Sequence, residues 1–184
     1  MAMARMSAAE RREVVLQAAV AEFARRGFGS ASTTAIAQGA GVSQPYLFRL
    51  FPNKRAVFLA AVEEGFARTE AELTTAAEGL TGDEAIDAVR RRYQELLTDT
   101  RLLQFQLQVY CAALDDDEFR EKAASCLARL WRAVAGASGV PPQDVFRFFA
   151  NGMLRNVVTA LGLPCPSDPD ELATGLHSWA MREV

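Results

Sequence analysis

Gln44, Tyr46 and Arg49 follow Ser43 within SQPYLFRLF, and their side chains are suited to hydrogen bonding with a nucleic-acid duplex. An amide such as Gln44 makes paired hydrogen bonds to an adenine edge, and a phenol such as Tyr46 reaches a phosphate or a thymine methyl. Thr33 and Thr34, ten residues earlier, are placed to bind a phosphate together with free backbone N–H groups at a helix start. Lys54, Arg49 and Arg55 are the candidate cations for the phosphate backbone. The same residues also have ordinary uses: Ser43 and Thr33 as helix caps, Tyr46 as a packed surface ring, Lys54 as a solvated charge. No catalytic set competes with this reading. The chain has one histidine, His177, and it lacks a Ser/His/Asp or Cys/His grouping, a phosphate-cradling glycine loop and His/Cys ligand spacing. His177 is expected to be packed or capped, and neither a cofactor nor a metal is expected.

Positioning these groups requires two short helices. Thr33 to Ala40 places Ile36, Ala37 and Ala40 on one face, and Gly41 supplies the left-handed residue that ends the first helix. Val42 is expected to enter the core between the two helices. Ser43 is a natural N-cap, and Pro45 near the start of the second helix loses no hydrogen bond. Leu47, Leu50 and Phe51 then point inward, which turns Gln44, Pro45, Tyr46 and Arg49 outward. A helix built this way can enter a major groove by its N-terminal end.

The surroundings make this pattern specific. In order come the helix VLQAAVAEFARRGF, then TTAIAQGAGVS, QPYLFRLF and PNKRAVFLAAV. From about Arg12 to Glu63 the chain resembles the N-terminal domain of TetR-type (tetracycline-repressor-like) transcriptional regulators. The resemblance is close in the first third and architectural afterwards. It implies nine helices and an effector pocket in the C-terminal body that adjusts the spacing of two DNA-binding heads. Family recognition helices usually read Gly-x-Leu-Tyr-x-His-Phe, with the Tyr and His often touching phosphate. Pro45, Phe48 and Leu50 stand at the departing positions here, so two phosphate donors are missing and the family's contacts do not transfer there.

Half of the 184 residues are hydrophobic, enough for a small domain joined to a medium one. The net charge of −3 conceals an asymmetry: residues 1–60 carry eight Arg/Lys against three Glu, and the other 124 carry twelve against twenty Asp/Glu. A basic head on an acidic body suits a protein that sets one end on phosphates. No run of about 18 apolar residues is present, so no membrane span is expected. The polar N-terminus argues against a signal peptide. Cys111, Cys126 and Cys165 read as reduced core residues of a cytoplasmic protein.

Almost every segment has a 3.6-residue period, so the expected fold is all-α. It comprises an N-terminal helix-turn-helix three-helix domain, residues 1–53, and a C-terminal helical effector-binding and dimerisation domain, residues 54–184. A helix over 54–77 bridges the two. The acidic run at 115–118 is expected to form a negative first turn favoured by the helix dipole rather than a metal site. Candidates for an effector pocket are Phe66, Tyr93, Leu97, Gln104, Gln108, Tyr110, Trp131, Phe149 and Met153, although an aromatic-rich stripe is equally the makings of a core. The helix VFRFFANGMLRNVVTALGL is apolar over more than one stripe and so wants two partners. Phe146, Phe148, Gly152 and Val157 on it, with Leu172, Leu176 and Trp179 on the last helix, are candidates for a symmetric interface. These features together lead us to expect a homodimeric, ligand-responsive repressor. It would bind a pseudo-palindromic double-stranded operator and answer to a small-molecule effector. The alternative is a DNA-binding module controlled by a protein partner; an all-α enzyme is the weakest reading.

Overall fold

The structure, a computed structural model, describes residues 7–182. Those residues form nine α-helices and no strand: α1 Ala8–Ser30, α2 Thr33–Gly39, α3 Gln44–Leu50, α4 Lys54–Ala76, α5 Gly82–Leu96, α6 Thr100–Leu114, α7 Asp117–Ser138, α8 Pro142–Ala160 and α9 Pro169–Ala180. The limits follow local chemistry. Ser7 and Glu10 form a reciprocal capping box at the start of α1. Asn53 Oδ1 accepts from the Ala56 N–H to open α4, and Asp116 Oδ1 accepts from Phe119 N–H to open α7. Gly27 breaks the regular run of α1 with φ 68°, yet a further turn continues to Ser30.

Packing divides the chain into two compact units. Among the described residues, the first comprises those up to 70 with 100–130, and the second 71–99 with those from 131 onward. This differs from the expected division at residue 53, because α6 packs along α1 and so joins the front helices. In the first unit, Phe23 and Phe28 of α1, Phe58 of α4, Phe105 of α6 and Phe119 of α7 make one aromatic cluster. Its closest pairs are 4.7 Å apart between ring centroids, Phe58–Phe119 and Phe28–Phe119. Each such ring contributes about 1.5–3 kcal/mol on burial. Around it, Glu63 of α4 accepts hydrogen bonds from Lys122 (2.9 Å) and Arg129 of α7, and Arg129 Nε also reaches Glu70 at 2.7 Å. The two cations hold the Glu63 carboxyl down to about 2.

The acidic run does more than favour a helix start. Arg55 of α4 pairs with both oxygens of Asp116 (2.5 and 2.7 Å) and with Glu118, while its guanidinium lies over the Phe119 ring. Three expectations about burial need correction. Of the cysteines only Cys126 is buried; Cys165 is half-buried after α8 and Cys111 is exposed. His177 is exposed on α9 rather than packed. Val42 and Leu50 are only half-buried, because helices of two turns cover little surface beyond Ile36, Ala37 and Leu47.

In the second unit, Tyr93 of α5 stands against α8. Its hydroxyl donates to Asn156 Oδ1 at 3.0 Å and its ring meets Phe148 edge-on at 5.8 Å. Gly152 lets this happen, since a Cβ there would lie 3.1 Å from Tyr93 Cε1. Phe149 stacks on Trp131 of α7 at 4.7 Å. Among the described residues no helix is long and apolar enough to cross a membrane.

Candidate nucleic-acid interface

The helix pair α2–α3 is built as its residues require. Gly41 takes φ 64°, its N–H donating to Gln38 O at 3.0 Å, and Val42 N–H donates to Ala37 O at 2.9 Å, which satisfies the carbonyls at the end of α2. Ser32 and Ser43 cap the two helices, accepting from Ala35 N–H and Tyr46 N–H at 3.3 Å each. Leu47, fully buried, and Phe51 anchor α3 inward. Ser43, Pro45, Phe48 and Arg49 are left exposed, with Gln44 and Tyr46 half-buried.

Gln44 Nε2 donates to Thr33 Oγ1 at 3.0 Å, so the first residue of α3 is tied to the first of α2. The bond leaves the Gln44 carbonyl and its second N–H for an outside partner. Thr34 beside it is exposed. Tyr46 lies between two guanidinium groups, Arg49 at 4.5 Å and Arg11 at 5.9 Å from its ring centroid. The two guanidinium groups, Arg11 foremost, lower the phenol's pKa despite partial desolvation. Arg12 lies over the Phe51 ring at 4.3 Å. Arg11 is a member of this surface that sequence reasoning missed. It is 35 positions from Tyr46, and only the packing of α1 brings the two together.

The two cations at the start of α4 differ. Lys54 Nζ donates to Gly29 O (3.0 Å) and Ala31 O (3.2 Å), with the Phe28 ring 4.9 Å away. It satisfies carbonyls at the end of α1 and keeps one N–H unused. Arg55 is committed to Asp116 and Glu118. It is a brace between α4 and α7, and we set it aside as a phosphate contact. Glu22 supports the same corner: its carboxylate accepts from Ser32 N–H at 3.1 Å and from Arg25 at 2.9 Å. Burial raises its pKa, but these bonds outweigh it and the net shift is downward.

The remaining candidates distribute as follows. Phe66, Gln104, Gln108 and Tyr110 belong to the first unit. There Phe66 is core, Gln104 is exposed, the Gln108 amide packs against Gly27, and Tyr110 accepts a hydrogen bond from Gln106 at 3.0 Å. Tyr93, Leu97, Trp131 and Phe149 belong to the second unit. Leu97 lines a cavity there, and the other three, all half-buried, pack their rings against one another or against Phe148. Met153 is 40% exposed on α8. The interface candidates divide. Phe146 (63%), Val157 (43%) and Trp179 (48%) are exposed, and Leu176 is half-buried. Phe148, Gly152 and Leu172 are buried in their own unit and so are unavailable to a partner. Phe146, Met153, Leu154, Val157 and Leu161 instead form the exposed stripe, at intervals that keep one side of a helix.

Residues 15–61, which span most of α1 through the start of α4, match the family model of bacterial regulatory proteins of the tetR family. No curated protein matches the chain significantly. Solved structures match over most of the length. A TetR family transcription regulator from Marinobacter aquaeolei VT8 is 21% identical, with 92% of this chain and 94% of that one covered and a TM-score of 0.63. A TetR-like transcriptional regulator from Rhodococcus sp. RHA1 is 21% identical over 97% and 100%, with a TM-score of 0.60. The transcriptional regulator FadR from Bacillus subtilis, in complex with stearoyl-CoA, is 18% identical over 82% and 87%, with a TM-score of 0.69. At these identities the structural likeness speaks for the fold. The match over residues 15–61 adds that most of α1 through the start of α4 carries the pattern of the tetR family of bacterial regulatory proteins.

Proposed function

We propose that the protein is a cytoplasmic, homodimeric, ligand-responsive repressor that binds a pseudo-palindromic operator. Residues 1–53 would serve as the DNA-binding head and 54–184 as the body. The observation that carries the reading is the capped α2–α3 pair, whose outer surface presents Gln44, Tyr46 and Arg49 while Leu47 and Phe51 hold it from within. Gln44, Thr33 and Thr34 supply hydrogen bonds at the helix starts, Arg11 and Arg49 the charge, and Lys54 a fixed ammonium at the edge. Phe48 replaces a donor with an exposed apolar ring, which fits a thymine methyl better than a phosphate.

The apolar stripe of α8 supports pairing of two copies through α8 and α9. A twofold axis would then give two recognition helices and a symmetric site. Effector binding would lower operator affinity by a coupling of about 1–3 kcal/mol. FadR with its bound stearoyl-CoA supports a ligand-responsive body in a protein of this fold. Selection of bound duplexes from a random pool tests the whole reading. The expected product is a twofold-symmetric sequence whose affinity falls steeply with salt as counterions are released. Recovery of no preferred duplex, or a flat salt dependence, would reject it.

A further inference from the structure

We propose that the half-open cavity of about 300 Å³ between α5, α8 and the segment joining α8 to α9 is a binding site for a small monocarboxylate, received by Arg155. Arg155 is 5% exposed, and among the described residues no carboxylate lies within ion-pair distance of it. Its charge is met only by neutral acceptors. Nη1 donates to Pro166 O at 2.5 Å and approaches Cys165 Sγ at 3.7 Å, and Nη2 donates to Ser167 O at 2.8 Å. A guanidinium has five N–H groups, so these three contacts leave the Nε–H and one Nη2–H without a protein acceptor. Nε is not sealed: the sole fully enclosed unpartnered nitrogen among the described side chains is Arg129 Nη2.

A buried cation lacking a counter-ion is costly, and it is stabilised most by an anion that brings its own acceptors. Two N–H groups on one planar cation suit the two oxygens of a carboxylate, and one positive charge suits one negative. A phosphate would leave acceptors unmet, because the rest of the wall offers few donors. Thr159 contributes a hydroxyl, the Thr98 hydroxyl already donates to Glu95 O at 2.7 Å, and the Gln94 amide is tied to Ser167 O at 3.1 Å. Leu97 supplies an apolar wall for the ligand's carbon. The volume lies at the low end for ligand sites, so the carbon part is a short chain or a single ring. Arg155 holds the segment leading to α9 and belongs to the same helix as the exposed stripe, so occupancy would bear on both. The site stands on this geometry alone; its use as an effector site rests on the regulator reading above.

The test is calorimetric titration of the full chain with butyrate, benzoate, benzamide and inorganic phosphate. Saturable binding of a carboxylate is expected, at least about tenfold tighter than benzamide, since a charge-assisted pair is lost with the amide. Arg155→Gln should abolish it. Because that change also frees the segment after α8, Thr159→Phe provides a second variant that fills the cavity with the Arg155 bonds kept. It should remove binding while the Tm holds. No saturable carboxylate binding up to about 10 mM, equal affinity for benzamide, phosphate bound as tightly, or unchanged affinity in a folded Thr159→Phe variant would each overturn the site. Carboxylate binding that leaves operator affinity unchanged would uphold the site and reject its effector role. Operator binding released by some other compound, with no carboxylate bound, would reject the site and leave the regulator reading intact.

Discussion

The α2–α3 pair and helix α8 both present one side to the exterior, and the two sides are made in opposite ways. On α3 the inward positions hold Leu47 and Phe51, and the outer ones, Pro45 and Phe48 apart, are polar or charged and already engaged with one another: Gln44 with Thr33, Tyr46 with Arg11 and Arg49. On α8 both sides are apolar. Val145, Phe148 and Val158 serve the unit's own core, while Phe146, Met153, Leu154, Val157 and Leu161 have no cover. Water solvates the first surface well, so a partner must offer hydrogen bonds and negative charge to displace it. It solvates the second poorly, so any apolar partner of matching shape gains by area alone. One surface is built for selectivity and the other for adhesion.

The most damaging change should be Met153→Asp combined with Val157→Asp, which places two charges in the α8 stripe. Sedimentation should show loss of a dimer by a factor of a hundred or more, about 2.7 kcal/mol or more for desolvating unpaired charge. An intact dimer would remove the stripe from the interface. On the other surface, Gln44→Ala or Tyr46→Ala should weaken operator binding by about ten- to a hundredfold at fixed salt, with folding retained. Equal affinity for wild type and variant in gel-shift series would show that these residues only brace the helix pair. The brace itself can be sharpened through Gly27, where φ is 68° and a Cβ would lie 2.7 Å from Gln108 Oε1. Gly27→Ala should cost about 1–2 kcal/mol in denaturant unfolding. Adding Gln108→Ala should recover the contact part only, and full recovery would mean that the backbone carries no strain.

The smallest effect concerns pH. Glu63, at about 2 in the folded chain, lies below its ordinary value near 4.5. Its contribution to stability is complete above the ordinary value and is lost as pH falls through about 2, where the folded-state carboxylate takes up its proton. The Tm difference between wild type and Glu63→Gln should therefore shrink from pH 5 to pH 2. A constant difference over that range would mean that Lys122 and Arg129 do not hold the charged form.

The nine helices and most of their limits were legible because caps and breakers act locally. Gly41, Ser43 and Asn53 each decide a boundary within a few residues of themselves. Packing partners were less so. Nothing in the amphipathic pattern of α6 names α1 as its neighbour, so its packing with the front helices was not legible. The interface candidates show the same limit. A helix apolar all round gives no sign of which side is its own core, so Phe148 and Gly152 were grouped with Phe146 and Val157 until Tyr93 was seen to occupy the first pair. The cations at the site behave likewise. Arg55 and Lys54 are adjacent and chemically alike in sequence, and only long-range partners, Asp116 for one and Gly29 O for the other, separate their roles.

Lys54 has a further consequence. An ordinary surface lysine is a mobile chain, and fixing it on a ligand sacrifices as much as about 2 kcal/mol of rotamer freedom. Here that sacrifice was made when the chain folded, because two carbonyls at the end of α1 already hold the amine in one place. A phosphate arriving beside it would meet an immobile positive charge with one hydrogen still to give, and would gain the attraction without the ordering cost.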